Sequence, residues 1–246
     1  MHDTCAHSGR SRRMSWLILG TLVGLGLFPS IAWSADDKAP PSGRSTGTRG
    51  CGSMTMPAPA GVPALILLAP NQQPGKTASL RPTFAWFVRD AAGLPMEFRL
   101  YEQTATGFQL VQEIKGDRLK STPGIMVLPP DHTMPELTPG KNYRWQVELI
   151  CNPDSPSGNL FAESELQVVA IQPHLKSQLR QQRDRAKQAQ LYAQANLWYD
   201  SLSVAFSPRT DLTELKDLQL SLLNKVALNP SERALLQNSR VYWFTP

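Results

Sequence analysis

The chain has 246 residues, 41% of them hydrophobic, with 25 Lys and Arg against 20 Asp and Glu for a formal net charge of +5, and a chain of this length is able to bury a sizeable core. Residues 1–34 hold three of the Arg and one of the Asp, so the remainder carries 22 basic and 19 acidic side chains, a net charge of +3. A surplus this small, with no recognisable nucleic-acid-binding motif, argues against a nucleic-acid partner.

In chain order, residues 1–34 are laid out as a signal peptide. Arg10, Arg12 and Arg13 form a basic start, Trp16 to Phe28 is an uncharged apolar run, and Ala32-Trp33-Ser34 offers a small-x-small cleavage site. The alternative is a retained anchor, since Trp16 to Trp33 gives about 18 residues, just enough to cross a bilayer, although Gly20, Gly24, Gly26 and Pro29 weaken such a span. Either way the bulk of the chain is expected outside the cytoplasm, periplasmic or extracellular, with no transmembrane domain once the signal is cut. Residues 35–61 are rich in Pro, Gly, Ser and Thr and read as a flexible leader.

Residues 62–172 alternate short apolar runs with turn signals. The runs are Ala64 to Leu68, Pro82 to Arg89, Met96 to Glu102, Phe108 to Ile114, Gly124 to Leu128, Asn142 to Cys151 and Leu160 to Ile171. They predict an antiparallel β-sandwich of immunoglobulin or fibronectin-like type. In Asn142 to Cys151 the residues Tyr143, Trp145, Val147, Leu149 and Cys151 share one face and Asn142, Arg144, Gln146 and Glu148 the other, as in a half-buried strand. Cys5 leaves with the signal, so in an oxidising compartment Cys51 and Cys151 are expected to form a disulfide.

Residues 173–246 read as a helical region with an apolar tail, making the whole chain α+β. No Gly or Pro interrupts His174 to Leu202, where Leu191, Ala195, Trp198 and Leu202 recur at helical spacing, so one long helix is predicted. Asp211 and Glu214 form a capping box for a second helix with the stripe Leu215, Leu218, Leu222 and Val226. Asn229, Pro230 and Glu232 open a third. Val241 to Phe244 is too apolar to float free and is expected to dock on the helices or the strands.

No constellation specifies catalysis, and no cofactor or metal is expected. Pro70 to Thr77 ends like a phosphate-binding loop but has Pro70 where the first glycine is needed, so a turn is the better reading. Asp131 and His132, with Glu136 nearby, offer a base and an orienter in a proline-rich loop, the least favoured reading, a hydrolase. Glu163 and Glu165 point the same way from one strand, as an exposed strand face also explains. His132 and His174 are not spaced as ligands. Two binding features remain: the basic patch Lys176, Arg180, Arg183, Arg185 and Lys187, which also reads as a solvated helix face, and an aromatic platform of Trp86 and Tyr101, against which stands core packing of Phe84, Trp86 and Val88.

Several segments together carry a likeness: Thr48-Arg-Gly-Cys51, Ala64-Leu-Ile-Leu-Leu-Ala-Pro70, Pro82-Thr-Phe-Ala-Trp-Phe-Val88, Tyr143-Arg-Trp145 with Cys151, and Leu197-Trp-Tyr-Asp-Ser-Leu202. On these residues the chain resembles the domain of unknown function 928 family. The resemblance implies an exported protein of a mainly cyanobacterial group with no assigned activity and no catalytic residues to carry over. The expected function is therefore non-enzymatic binding or scaffolding in the cell envelope through protein–protein contact, with helices and tail aromatics as the docking surface. The alternative is a carbohydrate-binding module for an envelope or extracellular polysaccharide.

Overall fold

The computed structural model describes residues 42–45, 50–51, 61–131, 133–208 and 212–244. The apolar runs become strands where they were expected: β1 (Leu65–Leu67), β3 (Phe84–Val88), β4 (Met96–Thr104), β5 (Gly107–Ile114), β6 (Gly124–Leu128), β7 (Asn142–Leu149) and β8 (Leu160–Val168). Two short strands were not foreseen. β2 (Gly75–Thr77) lies in the stretch read as a turn, and β9 (Val241–Trp243) is the apolar tail. The strands form a four-stranded sheet of order β1-β3-β6-β9 and a five-stranded sheet of order β2-β8-β7-β4-β5. Neither sheet is wholly antiparallel, because β2 pairs with β8 and β9 with β6 in parallel. Both parallel partners are far apart in sequence, as a parallel pair requires.

Alternation sets the wet and dry faces of the five-stranded sheet. In β7 the inward Tyr143, Trp145, Val147 and Leu149 are buried while Arg144, Gln146 and Glu148 are only partly covered, the pattern of a strand with one face in a core. The four-stranded sheet differs: β1, β3 and β6 are buried at every position. Its strands share one core with Tyr199, Leu202, Phe206, Leu222, Leu223, Val226 and Leu236 of the C-terminal helices, so both of its faces are dry. At the centre the Phe84 ring lies 5.0 Å from those of Phe98 and Trp145 in the other sheet. Tyr199 closes this cluster, its hydroxyl accepting from Trp145 Nε1 at 2.8 Å. Tyr143, at the start of β7, accepts from the backbone N–H of Thr138 at 2.9 Å through its hydroxyl.

The predicted long helix is three: α1 (Pro173–Gln181), α2 (Arg185–Gln194) and α3 (Trp198–Ala205). Two polar residues make the breaks. Asp184 caps α2, its side chain accepting from Lys187 N, and Asn196 ends the next turn in the left-handed region at φ 58°, which short polar side chains tolerate better than others. α4 (Leu212–Val226) and α5 (Pro230–Asn238) follow. The proposed cap Asp211 lies outside the described residues. Asn229 caps α5 as expected, accepting from Glu232 N at 2.8 Å. Glu232 itself reaches back one residue further than a capping box predicts, accepting from Leu228 N at 2.8 Å.

That carboxylate has a second partner. Arg44, in the leader, forms an isolated antiparallel bridge with Ile66 and so covers the outer edge of β1. Its guanidinium meets Glu232 Oε2 at 2.8 Å, donates to Asn71 Oδ1 at 2.6 Å and donates to the carbonyl of Val226. The expected disulfide joins Cys51 to Cys151, 100 residues apart. No helix among the described residues is long and apolar enough to cross a membrane.

Candidate functional site: a groove along β9 and an open sheet face

Two surfaces offer binding chemistry. The first follows from how β9 is held. Gly124 adopts φ 127°, and a Cβ there would stand 2.6 Å from the Arg240 carbonyl and 2.9 Å from the Tyr242 ring, so only glycine lets β9 close on β6. Ile125 N donates to Arg240 O at 2.8 Å and Phe244 N to Val127 O at 2.9 Å. Residues in a strand alternate the side to which their backbone groups point, so the N–H and C=O of Val241 and Trp243 face the other way, toward the edge that no described strand pairs. Trp243 Nε1 donates to Phe206 O at 2.6 Å and fixes the strand against the helices.

Between β9, α4 and α5 lies a groove of about 580 Å³. Phe206, Leu223 and Leu236 are buried beneath it, Leu220 and Trp243 are half-exposed, and Lys216 and Arg240 stand exposed at its rim. The predicted stripe on α4 is dry at Leu215, Leu222 and Val226. The groove is made by the adjacent positions of the same helix, which the stripe did not include.

The second surface is the outward face of the five-stranded sheet. Register places Glu165, Arg144, Tyr101 and Leu110 in one row across β8, β7, β4 and β5, and Glu163, Gln146, Arg99 and Glu113 in the next. Arg144 bonds Glu165 at 3.2 Å and Glu163 at 3.6 Å, and its guanidinium sits 4.1 Å above the Phe108 ring. Arg99 bridges Glu97, Glu113 and Glu148. Hydrogen bonds from Lys115 and Arg99 hold the Glu113 carboxyl below its ordinary range. Phe108, Leu110 and Phe161 are 44%, 49% and 40% exposed on this face. Beside it a cleft of about 470 Å³ runs under the Asn71–Pro74 loop to Arg144, Phe161, Glu163 and Glu165. A smaller one of about 250 Å³ gathers Lys76, Gln103, Asn142 and Gln167.

Sequence-predicted residues distribute unevenly over these surfaces. Tyr101 is half-buried on the open face. Trp86 is not on any surface: it is fully buried, stacked against Phe98 with centroids 6.3 Å apart, so the expectation that it forms a platform with Tyr101 is corrected, and the exposed ring on the face of Tyr101 is Phe108. Lys176 and Arg180 lie on α1, Arg183 between helices, and Arg185 and Lys187 at the start of α2, all exposed. The turn at Gln182–Asp184 splits them, so they do not form one helix face. Glu163 and Glu165 share Arg144 as counterion. Asp131 accepts from Thr133 N and Oγ1, and Glu136 pairs with Arg81 at 3.0 Å, while His132 lies outside the described residues. Among the described residues no three His, Cys, Asp or Glu side chains gather as metal ligands.

The sequence profile of a family described as Domain of Unknown Function (DUF928) matches residues 44–236. The chain belongs to the DUF928 family. The DUF928 segment begins at Arg44 and ends at Leu236, so it contains both members of the Arg44–Glu232 pair, while β9 lies beyond it. No curated protein matches the chain. Among solved structures it is similar to one of Astrotactin-2, described as a conserved vertebrate-specific and perforin-like membrane protein involved in neuronal development. The identity is 10%, the TM-score is 0.25, and the match covers 71% of this chain and 35% of that one, so this chain spans about a third of that structure.

Proposed function

We propose that this DUF928 protein is an exported, non-enzymatic binding or scaffolding protein of the cell envelope that docks another protein in the groove between β9, α4 and α5. The observation that carries the reading is an apolar groove of about 580 Å³ alongside the free edge of a strand. Apolar floors with a polar or charged rim are where protein partners bind. The Cys51–Cys151 bridge supports a location in an oxidising compartment. A photo-crosslinking residue at Leu220, with recovery from the envelope fraction and mass spectrometry, tests the reading. A single protein captured from Leu220, and lost in Leu223→Glu protein that still folds, is the expected result. Capture only from positions on the open sheet face sinks it.

A second reading, a carbohydrate-binding module for an envelope polysaccharide, is favoured by one observation. Phe108 lies opposite Gln103, with Tyr101 two positions along the same strand, and Gln103 shares a small cleft with Asn142 and Gln167, a combination of flat apolar surface and hydrogen-bonding groups that sugar rings require. Retention on polysaccharide lost in Tyr101→Ala and Phe108→Ala supports it, and retention unchanged in both removes it.

For the fold, we read the two sheets as an immunoglobulin or fibronectin-like sandwich. The alternation of β3, β4, β6 and β7 between sheets supports this. So does Tyr143, whose hydroxyl returns to the backbone just upstream of its strand, as the tyrosine corner of that fold does.

A further inference from the structure

We infer that the groove takes an extended, acid-flanked peptide segment that adds to β9 as a further strand of the four-stranded sheet; this rests on the docking reading above. Among the described residues Val241 and Trp243 offer two N–H donors and two carbonyls along an unpaired edge, and strand addition uses such an edge for affinity while pockets beside it select alternate side chains. The apolar groove beside that edge is the pocket, with Leu220, Leu223 and Trp243 placed to receive an aliphatic side chain.

Charge then chooses among segments. Lys216 and Arg240 stand at the rim, and among the described residues no Asp or Glu lines the groove and neither cation pairs with a carboxylate. A ligand with carboxylates flanking its apolar residues completes both, gaining rate as well as specificity. A second copy pairing β9 to β9 does not, because Arg240 to Phe244 contains no acidic residue.

The test uses the full chain with its disulfide intact and a fluorescent seven-residue peptide of alternating valine and threonine with an aspartate at each end. Fluorescence anisotropy is expected to show binding that weakens about tenfold, the equivalent of about 1.4 kcal/mol, when alternate peptide amides are N-methylated. The same loss is expected in Val241→Pro, which removes an edge-facing N–H and leaves the pairing with β6 in place. Lys216→Glu with Arg240→Glu is expected to shift preference to a lysine-ended peptide. Equal binding of the N-methylated peptide overturns strand addition and leaves the docking reading intact. No binding at about 1 mM overturns the inference, with crosslinks from Leu220 then deciding the docking reading separately. Concentration-dependent dimers abolished by Val241→Pro assign the edge to a second copy and overturn it as well.

Discussion

Arg44 puts a guanidinium where water does not reach: it and Glu232 are each 3% exposed at the side chain. Two buried charges stabilise little as a pair, but either one alone is costly, on the order of 3–5 kcal/mol. Arg44→Ala or Glu232→Ala is therefore expected to cost about that much in urea unfolding, and the Arg44→Met, Glu232→Leu double variant much less than the sum. Equal losses for single and double variants would show that the pair acts only through packing. Asp200 works in the opposite sense. Burial raises its carboxyl above the ordinary aspartate range, with the Ala78 N–H, which it accepts at 2.9 Å, only partly offsetting this. A carboxyl whose folded pKa is raised contributes most stability below its unfolded value, about 3.9, and loses that contribution as pH rises through the folded value. Asp200→Asn has no such loss, so wild type is expected to fall in stability relative to the variant as pH climbs from about 4 toward neutrality. A flat or rising difference in chemical denaturation would refute the assignment.

At the scale of elements, Gly124 decides whether β9 exists. Gly124→Ala places a methyl against the Arg240 carbonyl and adds left-handed strain, which together cost on the order of 1–3 kcal/mol. Most of it is expected to appear as local opening: amide exchange at Ile125 and Phe244, whose N–H groups donate across the β6–β9 pair, should accelerate far more than exchange in β7. Uniform acceleration would mean that β9 does not open on its own. This element also marks the boundary of what was legible. The β7 strand was readable because one face is wet, so polarity alternates residue by residue. β9 has three apolar residues, no alternation and a partner in β6, more than a hundred positions earlier, none of which leaves a local signal. The three-way split of the predicted long helix escaped for a different reason. Its breaks are made by Asp184 and Asn196, residues equally at home on a helix surface, and only the capping bond and the left-handed turn distinguish them. Tyr101 could be placed by period, whereas Phe206 at the end of α3, Leu220 on α4, Leu236 on α5 and Trp243 on β9 meet only through tertiary packing.

Across the whole molecule the covalent tie matters most. Cys51 and Cys151 lie 100 residues apart in the chain, a loop for which chain-entropy arguments give about 4–5 kcal/mol. Reduction is expected to lower the thermal midpoint substantially, and Cys51→Ser with Cys151→Ser to reproduce it. A midpoint unchanged by reductant would show that the bridge closes a loop already held by other contacts, Arg44 foremost. The two sheets meanwhile differ: in one, β1, β3 and β6 are buried at every position and only β9 is partly exposed, while the other keeps an open face of ion pairs and rings.

The pairing of Arg44 with Glu232 and of β6 with β9 also sets an order in time. A chain leaves the ribosome N-terminus first, so Arg44 emerges without its counterion and β6 without its neighbour until residues 232 and 243 have followed. No length of this chain that stops short of residue 243 contains both of these pairings, so the two long-range closures are the last to become available.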